Sequence, residues 1–205
     1  MIKAIIFDSD GTLFHSNSLG SKTLKEVCLK FGKPFDQKKF DSTNGLTRKD
    51  KLKKLFPKDY KKMWPVWNKL YSNKYSTSAE AFFGVIKELQ ILSKKKILLF
   101  IYSTKYSTLV KQALKKFGVL HLFSEVIGGE TKPIKPSKKP IQKLLNKYSL
   151  NKNEVLLVGD TYIDEKSAKN SGIKFVFIDY KNQKKTTLKY YKKIHSISEL
   201  NKIIS

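Results

Sequence analysis

Four apolar residues, Ala4-Ile5-Ile6-Phe7, stop abruptly at Asp8-Ser9-Asp10-Gly11-Thr12-Leu13. A run this short, apolar at every position and closed by turn residues, reads as a strand buried on both faces. Such a strand needs covering layers above and below it. Further short strand-like runs, apolar apart from Glu125, follow at residues 97–102, 125–127, 155–158 and 175–178. The segments between them carry apolar residues at helical spacing. Leu109, Val110, Ala113, Leu114 and Phe117 end at Gly118, and Ile141, Leu144, Leu145 and Tyr148 form a second such stripe. A shorter helix closes at Gly172. Strands alternating with helices specify an α/β fold, with a parallel sheet covered on both faces. Ser196 and Glu199 have the spacing of a capping box for a short terminal helix.

One long stretch interrupts the alternation. Residues 16–78 show no strand-like pattern. Leu24, Val27, Cys28 and Phe31 make one helical face, stopped by Gly32 and Pro34. Thr47 and Asp50 open a second helix bearing Leu52, Leu55 and Phe56. Tyr60, Met63, Trp64, Trp67, Leu70 and Tyr71 continue the pattern, with Pro65 either opening a new helix or kinking this one. The division expected is a core of residues 1–15 and 79–205 with an all-helical insert at 16–78. Ser78 is expected to cap the next helix, which would carry Phe82, Phe83, Ile86, Leu89 and Leu92. The lysine-rich residues 180–193 read as an exposed loop.

In a covered parallel sheet the functional side chains collect where the strands end. Asp8, Asp10, Ser103, Lys135 and Asp160 all follow a strand or the loop after one. Asp8 and Asp10, two apart on an extended chain, face the same side. Like charges so close repel unless a cation lies between them or one is protonated. A divalent metal joining them, with one carboxylate as nucleophile and the other as acid and base, gives the pair a purpose. Ser-Asp-Gly would also serve an ordinary turn. A calcium loop does not fit, because its other ligands fall at the wrong offsets.

The net charge of +25 suggests a polyanion partner, but Arg48 is the only arginine and the lysines are scattered along all 205 residues. Readers of nucleic-acid sequence rely on bidentate arginine, so the lysines read mainly as solvated surface and nucleic acid is not the expected partner. A single cysteine, Cys28, excludes an internal disulfide and suits a reducing compartment. The acidic residues after Phe7 argue against a cleaved leader, and no apolar run is long enough to span a bilayer, so a cytoplasmic location is expected. Nothing in the sequence sets an oligomeric state.

Together the strand-end residues resemble the haloacid dehalogenase superfamily, in its phosphatase branch with a helical cap, whose members include phosphoglycolate phosphatases. Four motifs in order carry the resemblance: residues 7–13, Ser103-Thr104-Lys105, Lys135-Pro136, and Gly159-Asp160-Thr161-Tyr162-Ile163-Asp164. The resemblance implies a Rossmann-like core and a magnesium-dependent phosphatase acting on a small phosphorylated metabolite, such as phosphoglycolate, a sugar phosphate or a nucleoside monophosphate. It implies Asp8 as nucleophile, Asp10 as acid and base, and Ser103 and Lys135 at the transferring phosphoryl group. It also implies metal contacts from Asp8, Asp10 (through its carbonyl) and Asp160, with Asp164 behind them or reaching the metal through water. Gly11, Thr12, Thr104, Lys105 and Arg48 are the substrate-binding candidates, and Lys105 and Lys132 are rivals to Lys135. True dehalogenases need no leaving-group acid at the place of Asp10; a phosphatase does. His15 departs from relatives, which commonly carry an acidic residue there. A sugar phosphomutase of the same architecture, a basic nucleic-acid-binding protein and a polynucleotide-end phosphatase are the alternatives.

Overall fold

The computed structural model describes residues 1–15, 17–180, 182 and 187–204. Its centre is strand β1 (Ala4–Phe7), flanked by β4 (Leu98–Tyr102) and β6 (Val155–Gly159). Beyond these lie β5 (Phe123–Ile127) on one side, and β7 (Lys174–Ile178) and β8 (Lys192–Ile194) on the other. The order is β5-β4-β1-β6-β7-β8, and every pairing in this sheet is parallel.

The alternation of side chains along β1 explains the layers. Ile5 and Phe7 enter one core with Leu99, Ile101, Leu156 and Val158, while Ala4 and Ile6 enter another with Phe100, Tyr102, Leu157 and Phe177. Helices α5 (Val85–Lys94) and α6 (Ser107–Lys116) cover the first core, through Leu89, Leu92, Val110 and Leu114. Helix α7 (Lys139–Lys147) covers the second through Ile141 and Leu144, and α8 (Tyr162–Ser171) through Ala168. The chain therefore has the three-layer α/β architecture that its alternation predicts.

The first core continues into the helices of the long insert, α1 (Asn17–Lys30), α2 (Gln37–Asp41), α3 (Arg48–Leu55) and α4 (Tyr60–Ser78). Residue 16 lies outside the described residues. Helix α4 runs through Pro65 without a break. Trp67 donates its indole N–H to Thr23 Oγ1 at 3.0 Å, both groups buried, and so ties α4 to α1. At the far end of α4, Lys116 donates to the carbonyls of Thr77 and Ala79 at 3.0 and 2.8 Å. These carbonyls at a helix end have no intrahelical partner, and an ammonium suits their negative dipole end.

The structure corrects three expectations. Ser78 is the last residue of α4 and does not begin the next helix. Residues 80–81 form β3 (Glu80–Ala81), antiparallel to β2 (Phe14–His15), and α5 starts only after Gly84, which has φ 79°. Phe82 consequently stacks on Tyr180 (ring centroids 3.9 Å apart), with the His15 ring tilted against it (3.5 Å), and Phe83 is 99% exposed. A two-residue pairing between distant segments leaves no periodic trace, so the phenylalanines imitate a helical stripe. In the segment read as a loop at 180–193, residues 181 and 183–186 are outside the described residues, but its end belongs to β8, paired with β7. Lysines masked that strand: Lys192 and Lys193 precede Ile194, its only buried residue. The terminal capping residues, Ser196 and Glu199, open a 3₁₀ turn at Ile197–Leu200 that leads into α9 (Asn201–Ile204).

Candidate active site

The side chains singled out by the sequence lie at the carboxyl end of the sheet, beneath the four-helix insert. Asp8 follows β1 directly, with its N–H bonded to the Val158 carbonyl at 2.9 Å. Asp160 follows β6, and Asp164 sits in the first turn of α8. Carboxylate oxygens of Asp8, Asp160 and Asp164 lie within 4.8 Å of one another. Gly11 is what lets the turn pass so close. Its φ is 80°, and a Cβ there would fall 2.5 Å from Asp160 Oδ2.

Lys135 reaches this group from the loop before α7. Its Nζ is 2.8 Å from Asp8 Oδ1 and 2.5 Å from Asp164 Oδ1, with the side chain 1% exposed. Asp164 Oδ2 accepts from Thr161 N at 3.0 Å and from Thr161 Oγ1 at 2.6 Å, so the same carboxylate also caps α8. One ammonium between two carboxylates leaves an excess of negative charge. Burial pushes the Asp8 carboxyl up to about 7, and the charges of Asp164 and Asp160 add to the rise while Lys135 opposes it. Burial alone would lower Lys135, but Asp164 and Asp8 hold its ammonium above the ordinary lysine range. The rival Lys132 is exposed.

Asp10 lies apart from this cluster. Its Oδ2 is 2.7 Å from Lys105 Nζ, and its Oδ1 is 3.5 Å from the Tyr75 hydroxyl. Lys105 is buried: its Nζ also donates to the Tyr71 hydroxyl and lies 3.9 Å from the Tyr75 ring centroid. Ser103 is bonded Oγ to Oγ with Ser9 at 2.7 Å and accepts from Lys105 N at 3.2 Å. Thr12 is fully buried, and its carbonyl accepts from the Tyr180 hydroxyl at 2.7 Å.

A cavity of about 370 Å³ opens above the carboxylates. Asp8, Asp10, Thr104, Lys105, Lys135, Asp160 and Asp164 line its floor, and Arg48, Lys51, Tyr71 and Trp67 its other wall. Gly11, Thr12 and Ser103 are not part of its lining and stand behind it. The Arg48 guanidinium lies 3.9 Å from the Tyr71 ring centroid, and its Nη2 donates to Asn68 Oδ1 at 3.0 Å. Its buried Nη1 has no hydrogen-bond partner among the described residues. Burial lowers Arg48, and brings Lys51 down from 10.5 to about 8.

The structure thus brings together Asp8, Asp10, Lys105, Lys135, Asp160 and Asp164, and sets Arg48 across the cavity from them. Tyr71, Tyr75 and Lys51 were not foreseen. Trp67, Tyr71 and Tyr75 succeed one another at i, i+4 on α4 and read as a core stripe; only their hydroxyls distinguish the two tyrosines. Lys51, one turn after Arg48 on α3, was the available signal for a second cation on that helix face.

Residues 5–178 match the family model described as haloacid dehalogenase-like hydrolase. Among curated relatives, pyrophosphatase PpaX of Halalkalibacterium halodurans is 26% identical over 181 residues, covering 87% of this chain and 84% of that protein. A phosphoglycolate phosphatase of Haemophilus influenzae is 28% identical over 192 residues, covering 87% and 86% respectively. A solved structure titled as a predicted phosphoglycolate phosphatase, from Haemophilus somnus, has a TM-score of 0.88 at 24% identity and covers 100% of this chain and 98% of that one. A haloacid dehalogenase-like family protein of Streptococcus pneumoniae has a TM-score of 0.86 at 22% identity, covering 100% and 99%. At those identities the two structures speak for the fold.

Proposed function

The chain belongs to the haloacid dehalogenase-like hydrolases, a phosphatase by kinship, and on that premise we propose that it is a magnesium-dependent phosphatase for a small phosphomonoester carrying a second anionic group. The observation that carries this reading is the placement of Asp8. Its carboxylate is buried, bonded to Lys135 and grouped with Asp160 and Asp164 on the floor of a cavity whose opposite wall bears Arg48 and Lys51.

The residues fit a hard divalent cation. Three carboxylates converge, and Gly11 leaves the room a side chain would take from Asp160. Asp8 and Asp160 would hold the ion, with the Asp10 carbonyl. Asp164, whose oxygens are committed to Lys135 and Thr161, steadies the set from behind. Magnesium would supply charge neutralisation for the phosphoryl oxygens.

Asp8 attacks phosphorus, the Asp8 O–P bond forms and the bond from phosphorus to the leaving oxygen breaks. Asp10 gives its proton to that oxygen, and the alcohol departs. Water then attacks phosphorus of the aspartyl-phosphate while Asp10 takes its proton, which releases phosphate and restores Asp8. Lys135 offsets charge on Asp8 and on the transferring group. Ser103 stands behind the lining, bonded to Ser9 and to the Lys105 amide, and would brace the turn beneath the phosphoryl oxygens, while Gly11, Thr12 and Thr104 shape the turn and wall around them.

Arg48 and Lys51 would receive the substrate's other anionic group, Arg48 Nη1 having no hydrogen-bond partner among the described residues. Helices α1–α4 act as a cap that excludes water and limits substrate size. One buried thiol and no helix long and apolar enough to cross a membrane among the described residues suit a cytoplasmic enzyme.

The test is phosphate release with magnesium over a panel including phosphoglycolate, pyrophosphate, sugar phosphates and nucleoside monophosphates, beside Asp8→Asn. Magnesium-dependent release by the wild type and none by the variant is the expected result. Movement of the phosphoryl group within a sugar phosphate, without free phosphate, would instead make the enzyme a mutase.

A further inference from the structure

Two lysines at the floor of the cavity have divided the aspartates between them, and only one of the two has a role so far. Lys135 serves Asp8 and Asp164. Lys105 faces Asp10, with its side chain 4% exposed, against 30% for Asp10. A buried ammonium needs several partners, and those of Lys105 come from both halves of the molecule. Asp10 Oδ2 lies 2.7 Å away on the sheet side; the Tyr71 hydroxyl and the Tyr75 ring come from helix α4 of the insert.

We propose that Lys105 is a positioning residue for proton transfer: held by Tyr71 and Tyr75 of helix α4, it anchors Asp10 Oδ2 and leaves Oδ1 as the oxygen that carries the proton. The proposal deepens the phosphatase reading and rests on it. A carboxylic acid still accepts through one oxygen while it donates through the other, so the anchor holds in both protonation states. Without it, Asp10 rotates about two side-chain bonds at the edge of a cavity. Among the described residues the hydrogen-bond neighbour of Oδ1 is the Tyr75 hydroxyl at 3.5 Å, which is too long to hold the oxygen against a leaving group.

The arrangement also makes the acid depend on the insert. Tyr71 and Tyr75 are one turn apart on α4, and Lys116 fixes the end of that helix to α6. When α4 is seated, Lys105 is pinned and Asp10 is aimed. When α4 moves away, Lys105 loses the hydroxyl and the ring together, and Asp10 loses its anchor. Proton delivery is thereby confined to the closed, water-poor state.

The test compares kcat/KM for benzyl phosphate, whose alkoxide must be protonated to leave, with that for p-nitrophenyl phosphate, whose phenolate need not be. Lys105→Met is expected to lower the first by about 100-fold and the second by less than about fivefold. Tyr71→Phe, which keeps the ring and removes the hydroxyl, should show the same selectivity with about a tenfold loss on benzyl phosphate. Circular dichroism reports whether each variant folds; should Lys105→Met fail to fold, Tyr71→Phe decides alone. Equal losses on both substrates, or none, overturn the proposal, because a binding or purely structural role does not discriminate between leaving groups. Wild-type turnover that vanishes in Asp8→Asn upholds the phosphatase reading whatever Lys105 does, whereas a wild type that releases no phosphate defeats both.

Discussion

Asp8 and Asp10 stand two residues apart on one turn, yet each carboxylate is held by a different lysine. Lys135 reaches Asp8 from the loop before α7, and Lys105 reaches Asp10 from the turn before α6. The first pair lies on the cavity floor at the sheet edge and the second faces the insert. On the function proposed above, this separates the carboxylate that would bond to phosphorus from the one that would carry protons.

Removing Lys135 should cost more than activity. Lys135→Met leaves the carboxylates of Asp8 and Asp164 buried without their shared cation, and is expected to destabilise the metal-free protein by about 3 kcal/mol. Lys135→Met with Asp164→Asn should recover part of that loss, since one orphaned charge is gone. Urea denaturation of the two variants measures the difference; a double variant no more stable than the single would count against the pairing.

Gly11→Ala tests the cation site without replacing any residue that would hold the ion. The new methyl would meet Asp160 Oδ2 at 2.5 Å, in a backbone conformation with φ 80° that alanine resists. Wild-type protein should gain thermal stability as magnesium is added, because the ion binds the folded state only. Gly11→Ala and Asp160→Asn should lose most of that gain. A titration of melting temperature against magnesium, which needs no substrate, settles this one.

Arg48 is stacked on Tyr71 and bonded to Asn68, so its fork is already oriented toward the cavity. Arg48→Lys keeps the charge but loses the planar donor pair. For a substrate with two anionic groups, KM should rise by about tenfold or more while kcat stays within about threefold. For phenyl phosphate, with no second anionic group, both constants should hardly move.

Lys51 gives a dependence on pH. Burial lowers its pKa from 10.5 to about 8, so between those values the unfolded chain holds a proton that the folded protein lacks. Stability from this group therefore rises with pH across that window, and its cost is complete below about 8. Lys51→Met should stabilise the protein at pH ~7 by on the order of 1 kcal/mol, an advantage that shrinks as pH rises through the window. Denaturation midpoints of variant and wild type at neutral and alkaline pH test it; a constant difference would remove Lys51 as the source.

Cys28 is 1% exposed, and burial raises its thiol to about 11. A thiol-labelling reagent at mildly alkaline pH should leave the native protein unmodified and react only after denaturant is added.

The parallel core was legible because each strand is buried on both faces and so appears as an unbroken apolar run. The strand-end carboxylates were legible for the same reason: a run that stops at Asp8 or at Gly159-Asp160 marks its own end. What escaped depended on partners far away in the chain. The pairing of residues 14–15 with 80–81 has too few residues to show a period, and β8 hides behind two lysines. Tyr71 and Tyr75 pack like core residues along α4, and only Lys105, arriving from another strand end, turns their polar tips into part of the site. Lys135 and Lys132 share one loop, each before a proline; Lys135, favoured in the sequence, is the one buried between Asp8 and Asp164, and Lys132 is exposed.

The short pairing of His15 with Glu80 has a consequence for descent. The 64 residues between them, 16–79, leave and rejoin the core across a single two-strand isthmus, with entrance and exit side by side. Whatever is grafted onto that isthmus need only bring its two ends to neighbouring positions. Helices of other length or arrangement could therefore stand above it without the sheet below being re-threaded.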